Sequence, residues 1–173
     1  MKRDHARKTG VPPDTLVRPP ALVRLFLQHA AWPPATCAVL VRKKAIQVVG
    51  GFDDRFEGLF EDQVFFYKLC LSAPVFVEGA AWDRYRQHDE AWTARQRQAG
   101  LWHPGRGPNP ARERFLNWLE EYLMYRRVDD PVLRKALSAE LLPYRHPCLY
   151  RMRETGARFR RRLRRFATAQ SSS

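Results

Sequence analysis

The feature that most constrains this chain is the placement of its prolines, thirteen in 173 residues. Each fixes φ and removes a backbone donor, so helices and strands have to fit between them. Pro12, Pro13, Pro19 and Pro20 make residues 1–20 a polar, extended, basic lead-in, with ordered structure expected from about Ala21. Leu22, Leu25, Phe26 and His29 then recur at helical spacing until Pro33 and Pro34 stop the run. The stretch TCAVLVR, Thr36 to Arg42, is apolar and β-branched and reads as a short buried strand. A helix over Lys43 to Val49 ends at Gly50 and Gly51, where glycine makes a left-handed cap easy.

Beyond that cap, Phe52 to Phe60 has loop character with aromatic anchors, and Glu61 to Ala73 reads as a helix closed by Pro74. Its first turn holds two acids, where the helix dipole favours negative charge. PVFVEG and AWDRYRQH read as two short strands, Ala91 to Ala99 as a helix, and the Pro- and Gly-rich stretch 100–110 as irregular. Three helices close the chain. Ala111 to Arg126 carries Phe115, Leu119, Tyr122 and Leu123 on one face; Asp130 and Pro131 form an N-cap and first-position pair for a helix to Leu142. The third, Arg151 to Ala167, sets Met152, Phe159, Leu163 and Phe166 on a stripe among arginines. A hydrophobic content of 45% is enough for one domain with a real core.

The net charge of +13 sits mostly at the ends. Residues 1–10 hold four basic residues against one acid, and residues 151–173 hold eight arginines against Glu154, which leaves +3 for 11–150. Cys37, Cys70 and Cys148 are too few and too scattered for a disulfide framework or a zinc site, and read as small buried hydrophobes in a reducing compartment. MKRDHARKTG lacks the apolar run of a secretory signal, and no stretch approaches the ~20 apolar residues of a membrane span. The expected location is cytoplasmic, with peripheral attachment to the inner face of a membrane.

From Cys37 to His88 the order is strand, helix, VGGFDD, aromatic loop, EDQ opening a helix, two strands, then YRQH. That order resembles the second half of the catalytic domain of family 2 glycosyltransferases, the GT-A enzymes that use nucleotide-sugars. The matching residues are Gly50, Gly51, Phe52, Asp53, Asp54, Glu61, Asp62, Tyr85, Arg86 and His88. The resemblance is dense over about fifty residues and thinner from Leu16 to about Tyr150; no single piece is specific, and the order and spacing carry it.

The resemblance implies an α/β fold: a partial GT-A, Rossmann-like nucleotide-diphospho-sugar transferase domain with few strands, followed by C-terminal helices. It also implies transfer of a sugar, with inversion, from a nucleotide-sugar to a glycan or lipid-linked acceptor. By the match, Asp62 is the base that takes a proton from the attacking acceptor hydroxyl, and Glu61 shapes the acceptor side. Gly51, Phe52 and Asp53 line the substrate, Arg86 meets the donor diphosphate, and His88 supplies a metal ligand. Trp82, with Tyr85 and Trp92, offers a platform for sugar stacking. The plain alternatives are a helix cap for Glu61 and Asp62, a turn for Gly50 and Gly51, a structural or solvated His88, and core aromatics.

A GT-A domain also has a nucleotide-binding half ending in a metal-binding Asp-x-Asp, and no Asp-x-Asp occurs in these 173 residues. Leaving-group stabilisation by metal and diphosphate clamps supplies much of such a reaction's rate. The expectation is a truncated or split transferase with little activity alone, binding manganese or magnesium only if a partner half completes the site, and no cofactor otherwise. The organisation then reads as a lead-in over 1–20, an acceptor-side half over 21–110, a helical subdomain over 111–150, and a basic amphipathic helix with a disordered end over 151–173. An exposed strand edge should promote association.

The tail from Arg151 to Phe166 fits a helix lying on an anionic membrane surface, each basic residue contributing on the order of 1 kcal/mol. The rival function is a non-catalytic membrane-surface or protein-interaction module using this tail and exposed aromatics from Trp102 to Trp118. Nucleic acid is not the expected partner, because no recognised binding motif accompanies the arginines and the middle of the chain is nearly neutral.

Overall fold

The computed structural model describes residues 8–80, 82–84, 91–100, 109–153 and 155. They form a mixed α/β structure that is mostly helical. Strand β1 (Thr15–Val17) precedes α1 (Ala21–Leu27), a 3-10 turn (Thr36–Ala38), α2 (Lys43–Val49) and α3 (Glu61–Ser72). Then come β2 (Val75–Val77), α4 (Trp92–Gln98), α5 (Pro110–Tyr125) and α6 (Pro131–Arg145).

Helix α3 is the centre. Val64 to Cys70 are all buried, so this helix is enclosed all round, as its nearly continuous apolar sequence demands. Helix α1 packs on α3 and α6, α5 on α6, and α2 on α3. The main core joins Val23 and Phe26 of α1, Val64 and Tyr67 of α3, Phe115, Leu116 and Leu119 of α5, and Leu133, Leu137 and Leu141 of α6. It therefore draws on residues from both sides of position 110. A smaller cluster, Val49, Phe65, Phe66 and Leu69, lies under α2.

Two helix starts follow from local chemistry. The Asn109 side chain accepts from the Arg112 N–H at 2.8 Å and Asp130 from the Leu133 N–H at 2.8 Å, each with proline at the first helical position. Helix α2 ends where expected, with Gly50 left-handed at φ 72°. Helix α6 runs through Pro143 to Arg145, three residues past the expected Leu142.

Other expectations are corrected. Order begins before Ala21: Thr15, Leu16 and Val17 pair antiparallel with Val77, Phe76 and Val75. The Trp32 N–H also donates to the Lys8 carbonyl at 3.1 Å, so the extended lead-in is tied down ahead of Ala21. Thr36 to Arg42 is not a buried strand; it begins as the 3-10 turn and continues extended, with Leu40 fully exposed. Its apolar character covers one side of the small cluster only. Residues 82–84 are not in a strand, while 85–88 lie outside the described residues. Of the cysteines Cys70 alone is buried; Cys37 and Cys148 are exposed. The two-stranded sheet of β1 and β2 is the only sheet among the described residues.

Candidate functional site

The two acidic stretches matched above lie at the two ends of one loop, 52–60, that leads from α2 into α3. Gly50 and Gly51, both left-handed at φ 72° and 67°, turn the chain from α2 into the loop 52–60. Phe52 stacks on Phe65 of α3 with ring centroids 4.5 Å apart, which lays the start of this loop along the helix. The far part of the loop is fastened to α5. Phe56 meets Trp118 edge-on at 5.9 Å, Phe60 stacks on Phe115 at 5.1 Å, and the Arg114 guanidinium lies over Phe56 and donates to the Arg55 carbonyl. Phe60, left-handed at φ 69°, then turns the chain into α3 with Glu61 and Asp62 in its first turn.

Asp62 is partly buried, and its Oδ1 accepts from the Gln63 N–H at 2.7 Å. Glu61 is partly buried too, and its Oε2 is enclosed with no hydrogen-bond partner among the described residues. An enclosed carboxylate oxygen without a partner is costly to the fold.

Asp53 is committed elsewhere. Its carboxylate takes Arg55 Nε at 2.9 Å and Nη2 at 2.8 Å, and that hydrogen-bonded guanidinium holds the Asp53 carboxyl down at about 2 against partial desolvation. The Lys68 ammonium also helps to hold it down. Lys68 itself is buried, 6% exposed; burial pushes its ammonium below the ordinary value while Asp53 draws it back. The chain therefore has an Asp53–Arg55–Lys68 charge group at this turn that the motif reading missed. Its signal was present: Lys68 is the one charge in the apolar run VFFYKLCL.

Gly51, Phe52, Asp53, Glu61 and Asp62 thus belong to one turn-and-helix unit. Trp82 is not brought into it by any contact among the described residues; it is 83% exposed, on the segment where Asp83 accepts from the Cys37 thiol at 3.3 Å. Arg86, His88 and Tyr85, and the side chain of Trp92, lie outside the described residues. Of the aromatics expected exposed between Trp102 and Trp118, Phe115 and Trp118 are buried at 1% and 4% exposure, a correction. They form the wall that carries the loop.

Among the described residues no three His, Cys, Asp or Glu gather as metal ligands, and Asp53 is occupied by Arg55. An open concavity of about 240 Å³ lies at the opposite end of α3, lined by Arg42, Lys44, Ala45, Val48, Val49, Ser72 and Ala73. It is ten residues along the helix from Asp62, roughly 15 Å at ~1.5 Å per residue, so the acids do not line it. Among the described residues no helix is long and apolar enough to cross a membrane. The arginine-rich tail is described to residue 153 and at 155, with 147–153 helical and Arg151, Met152 and Arg153 exposed. Compared with known proteins, the chain matches no family model, no curated protein and no solved structure.

Proposed function

We propose that this chain is a family 2-like glycosyltransferase piece that carries the acceptor side of a sugar-transfer site. The observation that carries the reading is the sequence-adjacent Glu61 and Asp62 in the first turn of α3, at the end of the loop that begins with Gly51, Phe52 and Asp53. Asp62 takes the proton of an acceptor hydroxyl as its oxygen attacks the anomeric carbon, and the donor's diphosphate departs from the opposite face, inverting the centre. Glu61, beside Asp62, shapes the acceptor side of the site. The acceptor is a glycan or lipid-linked glycan. A nucleotide-binding unit outside these 173 residues supplies the donor and, with Arg86 and His88, the divalent metal. The location is cytoplasmic, at the inner face of an anionic membrane, through the tail from Arg151 to Phe166.

The test is transfer of a labelled sugar from a panel of nucleotide-sugars, with manganese, to a glycolipid extract in lysates of the chain's own source cells, which supply the nucleotide-binding unit, with the chain present or deleted. Asp62→Asn should reduce transfer by at least about 10²-fold, the usual worth of a general base, with an unchanged circular dichroism spectrum. Equal transfer by both chains, or none above a lysate without the chain, rejects the reading.

A second reading, a non-catalytic interaction module, is favoured by one observation. The concavity lies away from the acids, while Leu40, Val48, Phe52 and Trp82 are exposed.

A further inference from the structure

Three consecutive cations, Arg42, Lys43 and Lys44, stand exposed at the start of α2. The chain around them supplies no opposing charge: between Asp14 and Asp53 there is no Asp or Glu, against five Arg and Lys. Arg24, Arg55, Arg112, Arg134 and Arg145 each pair with a carboxylate, whereas Arg42, Lys43 and Lys44 enter no ion pair among the described residues. Nor does the run serve α2 itself, because cations at the start of a helix lie against its dipole and no acid stands in its first turn. Apolar surface is set among these charges. Ala45 and Val49 turn inward onto Phe65, Phe66 and Leu69, while Ile46 and Val48 stay outside, Val48 61% exposed. Lys44 and Val48, four residues apart, share one row of the helix, and both line the open concavity of about 240 Å³ together with Arg42.

We propose that this face of α2, around the concavity, docks on an anionic lipid bilayer. Arg42, Lys43 and Lys44 meet the charged headgroups, and Ile46 and Val48 are buried among them toward the acyl boundary. Charge complementarity requires an anionic partner, and the aliphatic side chains decide its class. Phosphodiesters would engage the cations and leave Ile46 and Val48 in water, whereas a headgroup layer takes up both kinds of side chain. The contact deepens the membrane location proposed above, adding a second attachment to the tail from Arg151 to Phe166, and does not depend on sugar transfer.

The test is sedimentation of the full chain with vesicles of mixed phosphatidylserine and phosphatidylcholine, and with vesicles of phosphatidylcholine alone. The chain should bind the anionic vesicles, bind the neutral ones far more weakly, and lose affinity as salt rises from about 0.1 M to about 0.5 M. Each basic residue at such a surface is worth about fivefold in affinity, so Arg42→Gln, Lys43→Gln and Lys44→Gln combined should weaken binding about 10²-fold. The circular dichroism spectrum should not change, because all three side chains are exposed. With Cys37→Ala and Cys148→Ala in the background, an environment-sensitive dye on Val48→Cys should shift its emission to the blue on anionic vesicles, and the same dye on Met124→Cys of α5 should not. Equal binding by the triple variant, or no shift at position 48, overturns the proposal and leaves the tail as the membrane contact. No binding to any vesicle overturns this contact and the membrane location together, while sugar transfer is tested separately. Tighter binding to duplex DNA than to anionic vesicles at the same salt, lost in the triple variant, assigns the face to nucleic acid and overturns the proposal too.

Discussion

Arg24 of α1 reaches across 106 positions to Asp130, donating from Nε to Oδ2 at 2.8 Å, while Oδ1 of the same carboxylate accepts from the Leu133 N–H at 2.8 Å and caps α6. Asp130 is 5% exposed. Burial pushes its carboxyl up, and the Leu133 N–H and the Arg24 guanidinium outweigh that, so it stays below its ordinary value. Asp130→Ala should cost about 2–3 kcal/mol, roughly 1 for the lost cap and the rest for the broken charge-assisted pair. Arg24→Ala, which leaves the cap in place, should cost about 1 kcal/mol. Urea unfolding of the two variants gives this order directly.

Acid should destabilise the fold through carboxyls whose folded values are depressed. Asp53, held by Arg55, lies at about 2 against an ordinary 3.8, and Glu120, held first by Arg145, is lowered too. A carboxyl that is lower in the folded than in the unfolded chain adds stability that is complete above its unfolded value and lost as pH falls through its folded one. For Asp53 that window runs from about 3.8 down to about 2. Thermal unfolding across this range should show a declining midpoint, with a shallower decline in Asp53→Asn. Lys68→Met should raise the Asp53 titration midpoint seen by NMR, because the Lys68 ammonium helps to hold that carboxyl down.

The three thiols should divide two to one. Cys37 and Cys148 are exposed, whereas burial pushes the Cys70 thiol up to about 12. A thiol-reactive dye should label two cysteines of the folded chain rapidly and the third only after denaturation. Three fast thiols would mean that α3 is not enclosed.

Phe56 is the anchor of the loop that leads to the acids, 7% exposed between Trp118 and the Arg114 guanidinium. Phe56→Ala should cost about 3–5 kcal/mol. Phe52→Ala, at a ring already 55% exposed, should cost far less. Hydrogen exchange should show faster opening of residues 52–60 in the first variant.

What could be read before any coordinates was local chemistry. Gly50 after a short amphipathic run, Asp130 before Pro131, and two acids opening an apolar helix each declare a helix boundary through groups adjacent in the chain, and α2, α6 and α3 begin or end at those signals. The misses were non-local. Strand β1 is legible only beside β2, sixty positions away, because alone Thr15 to Val17 is three residues among prolines. Thr36 to Arg42 has strand composition, yet no described neighbour supplies a ladder. Of the candidate site, the turn and the acid pair were legible. Of the Asp53–Arg55–Lys68 charge group only the odd lysine in an apolar run was visible, since its partners are set beside it only when the loop folds back along α3.

Phe60 is an aromatic residue in a left-handed conformation, a backbone state that costs a non-glycine residue free energy, and its ring is clasped by Phe115 of α5. The direction in which Glu61 and Asp62 leave the loop is therefore governed from a helix more than fifty positions downstream. Steering of this kind makes the carboxylate pair responsive to α5: trimming Phe115 would remove the ring that holds Phe60 and so reach both acids through the backbone that joins them to it.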